Sequence, residues 1–189
     1  MPESSLKNIA LLIDADNVKP EGIDPVLTVL AELGQVNIRR AYGNWSKDAL
    51  RKWGDITNRF GIRPHQQFDL VKGKNATDMA MTIDAIDLLY QGKVDGFGIM
   101  SSDSDFTPLV TRLRQDGLIV YGFGKKETAS DAFQSACTRF IDIEALLRDA
   151  EDESDPDSSA QQPDKTKVDD ELIELLGRAW KAAKRDERG

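Results

Sequence analysis

Ile9-Ala10-Leu11-Leu12-Ile13-Asp14-Ala15-Asp16-Asn17 is the stretch whose reading decides the architecture. An uninterrupted apolar run meets an acid and then a turn-forming Asp-Asn pair. A run this short, rich in Ile and Leu and bounded by turn residues, reads as a strand buried on both faces. We place that strand over residues 8–14. Asp14 then stands at its carboxyl end, the edge where open parallel sheets build their sites.

Working outward, β-rich runs alternate with helix-period stretches as far as about residue 149, the pattern of successive βαβ units and a parallel sheet. Strands are expected over 35–42, 62–68, 94–101 and 118–123, with a further one near 139–141. The segment 94–101 carries almost no charge and reads as central. Val26, Val29, Leu30 and Leu33 recur at helical spacing, with Pro25 tolerated in the first turn. Further helices are expected over 47–60, 76–90, 105–115, 130–136 and 143–148. The helix over 47–60 carries Lys47, Arg51, Lys52 and Arg59 on its polar side and ends at Gly61.

Composition shifts after this domain, which we bound at 1–148. Residues 149–157 hold six acids and no base, and Pro, Ser and Gln follow. Residues 149–167 therefore read as a solvated acidic linker without a packed core. Val168, Leu172, Leu175, Leu176, Ala179, Trp180 and Ala183 then form an amphipathic stripe, so 168–189 reads as a helix that needs something to cover its apolar face.

The formal net charge of −8 excludes a protein that grips nucleic acid by bulk positive potential, so any polyanion contact must be local. One cysteine, Cys137, excludes an internal disulfide and fits a reducing compartment. A single histidine, His65, argues against a His-rich zinc site and, with Cys137 placed as it is, against Ser-His-Asp or Cys-His catalysis. No apolar run approaches ~20 residues and residues 1–7 are short and polar, so the expectation is a cytoplasmic protein with no membrane partner. Oligomeric state stays open, a homodimer included.

Three separated segments place carboxylates where strand ends should meet: Asp14, Asp78 and the pair Asp103 and Asp105. Converging acids raise one another's pKa unless a cation neutralises them, so the cluster reads as a divalent-metal site. On a helical wheel over 76–90, Leu89, Thr82, Ile86, Ala85, Met81 and Met79 surround Asp78, an expensive setting for an unpaired charge. Asp84 and Asp87 fall opposite and read as solvated. Asp105 or Ser104 is expected to cap the helix that follows, leaving Asp103 to face Asp14. Asn17 either orients the site or caps a helix, and Asp16 ranks below the other acids. Lys72 and Lys74 before Asp78, and Lys125 and Lys126 after the fifth strand, leave the same edge and are read as phosphate contacts flanking the metal. Arg39, Arg40, Tyr42 and Trp45 form a candidate cationic and stacking rim, with at most one of the two arginines on a given face.

Leu11-Leu12-Ile13-Asp14-Ala15-Asp16-Asn17, Lys72-Gly73-Lys74-Asn75-Ala76-Thr77-Asp78 and Ile99-Met100-Ser101-Ser102-Asp103-Ser104-Asp105-Phe106 together resemble the NYN domain family, the LabA-like group of PIN-like nuclease domains. The resemblance covers about residues 6–147. It implies a three-layer α/β/α PIN-like (Rossmannoid) sandwich with a mainly parallel sheet, order 3-2-1-4-5. It also implies Mg²⁺- or Mn²⁺-dependent cleavage of RNA, with Asp14, Asp78, Asp103 and Asp105 as the matching acids and Asn17 beside the first. Asp84 matches a further acid that recurs in the family. Ser102 stands where many relatives have Gly. Residues 168–189 resemble the start of an OST-HTH (LOTUS) module whose remaining helices and wing are not in this sequence.

The expected activity is thus a metal-dependent ribonuclease acting on RNA, single-stranded by preference, with metal activation of water as its nucleophile source. A nonenzymatic RNA- or protein-binding PIN-like module is the alternative. A phosphatase of the haloacid-dehalogenase type fits Asp14 and Asp16 as a nucleophile loop but lacks a cap insertion and leaves Asp78 without a role.

Overall fold

The computed structural model describes residues 6–68 and 76–154, with side chains described as far as residue 150. Lys72, Lys74 and the 168–189 segment lie outside the described residues. In chain order the elements are β1 Leu6–Asp14, α1 Ile23–Leu33, β2 Gly34–Gly43, α2 Trp53–Arg59, β3 Arg63–Gln66, α3 Ala76–Gln91, β4 Gly96–Met100, α4 Thr107–Gln115, β5 Ile119–Gly124, α5 Asp131–Ala136, β6 Arg139–Asp142 and α6 Ile143–Ser154. Short 3-10 turns at Pro20–Gly22, Asp48–Leu50 and Ser104–Phe106 lead into α1, α2 and α4.

The strands pair in the order β3-β2-β1-β4-β5-β6, every pairing parallel. The expected five-strand order is present, with β6 added beside β5. Chain order reverses between β1 and β4, because the connection through α3 crosses from β3 to the far side of β1. That switch point is where open α/β sheets leave a crevice at their strand ends.

β1 explains both layers. Ala10 and Leu12 pack with Met81, Ala85 and Leu88 of α3 and with α4 and α5 residues such as Leu109, Val110 and Phe133. Ile9, Leu11 and Ile13 face the opposite way, into Ile23, Val26 and Leu30 of α1, Trp53 of α2 and Ile143 of α6. All of these β1 side chains are fully buried, as a strand covered on both faces demands. Asp14 continues the Ala10–Leu12 parity and so belongs to the α3 layer.

Helix starts are later than the periodicity suggests in two places. The 47–60 stretch forms a 3-10 turn and then α2 from Trp53, and the 105–115 stretch forms a 3-10 turn and then α4 from Thr107. Neither α2 nor α4 has a side-chain cap at its own N-terminus, and Gly54, Ile56 and Thr57 are weak helix formers within α2. Gly61 follows α2 at φ +60°, a conformation that suits glycine. At the other end of the domain, α6 continues to Ser154, past the helix end expected at Arg148 and into the stretch expected as linker, whose remainder, 155–167, lies outside the described residues.

Candidate metal centre

Asp14 ends β1 fully buried. The chain turns at once, with the Asn17 and Val18 amides donating to the Asp14 carbonyl at 3.2 and 3.0 Å. That turn brings the Asn17 side-chain amide back to donate to Asp14 Oδ2 at 2.8 Å. Ser101 Oγ, itself buried, donates to the same oxygen at 2.8 Å. Ser101 follows β4 and shares the parity of Phe97 and Ile99, so it faces α3 as Asp14 does. Asp14 Oδ1 is buried with no hydrogen-bond partner among the described residues. Burial raises the Asp14 pKa, the Asn17 and Ser101 hydrogen bonds oppose the rise, and the charges of Asp16 and Asp103 add to it.

Beyond β4 the chain is pinned twice. The Asp103 amide donates to Ser101 Oγ at 3.1 Å, and Ser102 Oγ accepts from the Lys125 amide at 2.8 Å. Asp103, rather than Asp105 or Ser104, caps the next turn: its Oδ1 accepts from the Asp105 amide at 2.9 Å. The expected cap is therefore corrected, while Asp103 still acts on Asp14 and shares the cluster with Asp105. A cap set one residue earlier still leaves both carboxyl groups at the strand-end edge, since the turn they open is 3-10.

Asp78, half-buried in the first turn of α3, completes the arrangement. Asp78, Asp103 and Asp105 each offer an oxygen, and these oxygens lie within 4.8 Å of one another. The Asp78 carboxyl is pushed up to about 6, first by burial and then by the negative charges of Asp14, Asp103, Asp105 and Asp16. Five acids thus act on one small volume. Asp14 contributes to its field without being one of the three mutually close carboxylates.

Asp16 has a different task. It accepts from Thr77 Oγ1 at 2.9 Å, from the Asn44 amide at 3.3 Å and from Lys47 Nζ at 3.0 Å. It ties the β1 turn to the loop after β2 and to the residue preceding Asp78. Its spacing from Asp14 was legible in the sequence; its partners, contributed by distant segments, were not.

Two expectations about α3 are corrected. Met79 is solvent-exposed, and the buried stripe is Thr77, Met81, Ala85 and Leu88. Asp84 lies along that stripe and is not solvated: it accepts hydrogen bonds from Arg40 and from the Tyr42 hydroxyl on β2. Burial pushes the Asp84 carboxyl up, but the Tyr42 and Arg40 hydrogen bonds and the Arg40 charge outweigh it and leave the pKa lowered. A wheel centred on Asp78 misses this because the charge that compensates Asp84 comes from another element. Asp87 is exposed as expected.

The proposed aromatic and cationic rim is likewise engaged elsewhere. Arg40 and the buried Tyr42 serve Asp84, Arg39 donates to the Phe60 and Val36 carbonyls, and Trp45 Nε1 donates to the His65 carbonyl. Arg39 and Arg40 do face opposite sides. His65 sits on β3, in register with Tyr42, which is in register with Asp14 on β1. Lys125 Nζ pairs with Glu144 at 2.7 Å, and the Lys126 amide donates to Asp142 at 3.4 Å.

The donor set is all carboxylate oxygen, the chemistry of hard divalent cations such as Mg²⁺ and Mn²⁺. The Asp14 Oδ1, without a partner among the described residues, and the mutual repulsion at Asp78 both fit a bound cation. Asp78, Asp103 and Asp105, with Asp14 beside them, could hold such an ion.

A parallel α/β/α sandwich with an acidic cluster at its switch point is the PIN-like class of domain. Within that class, this chain belongs to the NYN domain family, whose description matches residues 8–144. The family is one of PIN-like nucleases. An uncharacterized protein of Methanocaldococcus jannaschii, MJ0482, is 28% identical over 140 residues, which is 71% of this chain and 55% of that protein. The chain therefore spans about half the length of this curated relative. The crystal structure of VPA0982, a protein of unknown function from Vibrio parahaemolyticus, shares the fold at a TM-score of 0.60 and 22% identity, over 76% of this chain and 96% of that one. Among the described residues, no helix is long and apolar enough to cross a membrane.

Proposed function

We propose that this chain is a Mg²⁺- or Mn²⁺-dependent ribonuclease acting on single-stranded RNA. The observation that carries the reading is the meeting of Asp78, Asp103 and Asp105 within 4.8 Å beside a buried, half-satisfied Asp14. Asp78, Asp103 and Asp105 would hold the cation, with Asp14 as a further ligand or counter-charge. When bound, the ion supplies Lewis acidity toward water and toward a phosphate oxygen. The protein's own part is positional. Ser101 and Asn17 fix the Asp14 carboxylate, the Asp103 cap fixes the turn that carries Asp105, and Asp16 fixes the first turn of α3 through Thr77.

His65 is on β3, two strands from Asp14, with its ring against Tyr42, which argues against imidazole as the general base. Its pKa is lowered, chiefly by burial.

The test is cleavage of an end-labelled single-stranded RNA in Mn²⁺ by the full chain. EDTA, Asp78→Asn and Asp103→Asn should each abolish it. Undiminished cleavage by both variants would sink the assignment, and metal binding with no turnover would leave the nonenzymatic module as the better reading.

A further inference from the structure

Charge is unevenly distributed over this acidic chain. Residues 37–66 contain seven bases and two acids, whereas the whole chain has a net charge of −8. Two of the seven, Arg39 and Arg40, are turned to structural partners. The other five, Lys47, Arg51, Lys52, Arg59 and Arg63, are exposed on the β2–α2 loop, on α2 and on the edge strand β3.

This basic face starts at the rim of the acidic cluster. Lys47 contacts Asp16, which in turn holds Thr77, the neighbour of Asp78. Lys52 reaches toward Glu21 in the β1–α1 connection, 3.8 Å away, so it too stands at the strand-end edge. The Lys52–Glu21 pair and the 3.5 Å Arg51–Asp48 pair have strongly exposed cations, at 79% and 84%. Exposed pairs of this kind contribute little and yield readily to a phosphate. Phe68, just past β3, presents an aromatic ring 64% exposed to solvent, a platform on which a base can stack.

The opposite rim is different. Residues 125–149 hold four bases and five acids. Lys125 is paired with Glu144, and Glu127 and Asp142 also act on its charge. A polyanion meets little net attraction there.

We propose that the face formed by the β2–α2 loop, α2 and β3 is the binding surface for a single-stranded RNA backbone, which reaches the acidic cluster from the β3 side of the sheet and not past Lys125 and Lys126. This assignment rests on the nuclease reading for its substrate class. Its physical basis is separate: exposed cations concentrated, among the described residues, on the β2–α2–β3 side of a chain of net negative charge set both docking position and approach.

The experiment is fluorescence anisotropy of a labelled oligouridylate of about 12 nucleotides with the full chain, in EDTA at about 50 mM salt. Arg51→Glu/Lys52→Glu/Arg63→Glu should weaken binding at least tenfold, and the milder Arg51→Gln/Lys52→Gln should weaken it severalfold at an unchanged melting temperature. The slope of log affinity against log salt should fall by about 2 in the triple variant, at roughly 0.7 for each single-strand phosphate that a cation no longer neutralises. Lys125→Glu/Lys126→Glu should change affinity less than twofold.

Equal weakening by both sets, weakening only by the second, absence of RNA binding by the parent, or equal affinity for polyglutamate would each overturn the surface. A parallel Mn²⁺ cleavage assay separates the two readings. Binding that obeys the pattern without any cleavage removes the nuclease alone; cleavage that the triple variant leaves intact at subsaturating RNA removes the surface alone.

Discussion

Ser101 Oγ donates to Asp14 Oδ2 at 2.8 Å, joining the ends of β1 and β4 where the strand order reverses. The bond is buried, and its donor also accepts from the Asp103 amide. One hydroxyl therefore links the carboxylate of β1 to the loop that carries Asp103 and Asp105. Ser101→Ala removes half of Asp14's side-chain hydrogen bonding in a buried setting. We expect a loss of about 1.5–3 kcal/mol in urea unfolding, the range for a hydrogen bond to a charged group, together with weaker Mn²⁺ binding by calorimetry. A Ser101→Ala protein with native stability and native Mn²⁺ affinity would contradict this.

The metal-free cluster should destabilise the fold near neutral pH. Asp78 titrates at about 6 in the fold against an ordinary 3.8. A raised carboxyl supports folding only while protonated, so its contribution is full below about 3.8 and is lost as the pH climbs through 6. Discounted for the solvent screening of a half-exposed group, the loss is about 1 kcal/mol. Asp78→Asn should match the parent near pH 4 and melt roughly 3 °C higher at about pH 7 in EDTA. Melting curves at the two pH values check this, and a variant less stable than the parent at neutral pH would refute it.

Added Mn²⁺ should reverse that order. An ion that binds only the folded state stabilises it by about 2.7 kcal/mol at a hundredfold excess over its dissociation constant. The parent should gain several degrees of melting temperature, and Asp78→Asn and Asp103→Asn should gain little. Equal shifts in all three proteins would place the ion elsewhere.

Gly124, at the end of β5, has no room for a side chain. A Cβ there would lie 2.6 Å from Ser102 Oγ and 2.7 Å from the Ser101 carbonyl oxygen. Backbone of the loop carrying Asp103 must shift to admit it. Gly124→Ala should cost about 1–3 kcal/mol of stability, the usual range for overpacking, and reduce Mn²⁺-dependent cleavage at least tenfold. Wild-type turnover in this variant would show that the loop's position is not critical.

Asp84 anchors α3 to β2 through Arg40 and Tyr42. Both Arg40 and Asp84 are about four-fifths shielded, at 22% and 21% exposure, so breaking the pair leaves a poorly solvated charge. Asp84→Ala should destabilise by about 2 kcal/mol, less than a fully buried pair, and Tyr42→Phe by about 1 kcal/mol. Denaturant titration of both variants is the check, with an unchanged midpoint for Asp84→Ala as the contrary result.

Much of the fold can be read along the chain because each element announces itself locally. Ile9 to Ile13 reads as a doubly covered strand, and Val26 with Leu30 marks a helix face. Local pattern fails where the deciding partner lies far away in sequence. Asp84 reads as solvated because nothing near it in the chain signals Arg40 on β2. Asp103 and Asp105 are both legible as strand-end acids that cluster, yet which one caps the turn depends on backbone geometry that residue type does not specify. Ser101 is legible as a strand-end serine, structural or orienting a ligand water, but its bond to Asp14 is not.

Alternating elements and strand-end acids were enough, on their own, to establish a parallel α/β domain with carboxylates at its switch point. That is so because burial period and strand parity are set by neighbouring residues. Which carboxylates meet was settled only by tertiary structure. Asp78, Asp103 and Asp105 converge, Asp14 is held beside them by Ser101 and Asn17, and Asp16 and Asp84 turn to other partners. Hydrogen bonds and charge pairs between side chains act over a few ångströms in space, and the groups they join are tens of residues apart in the chain.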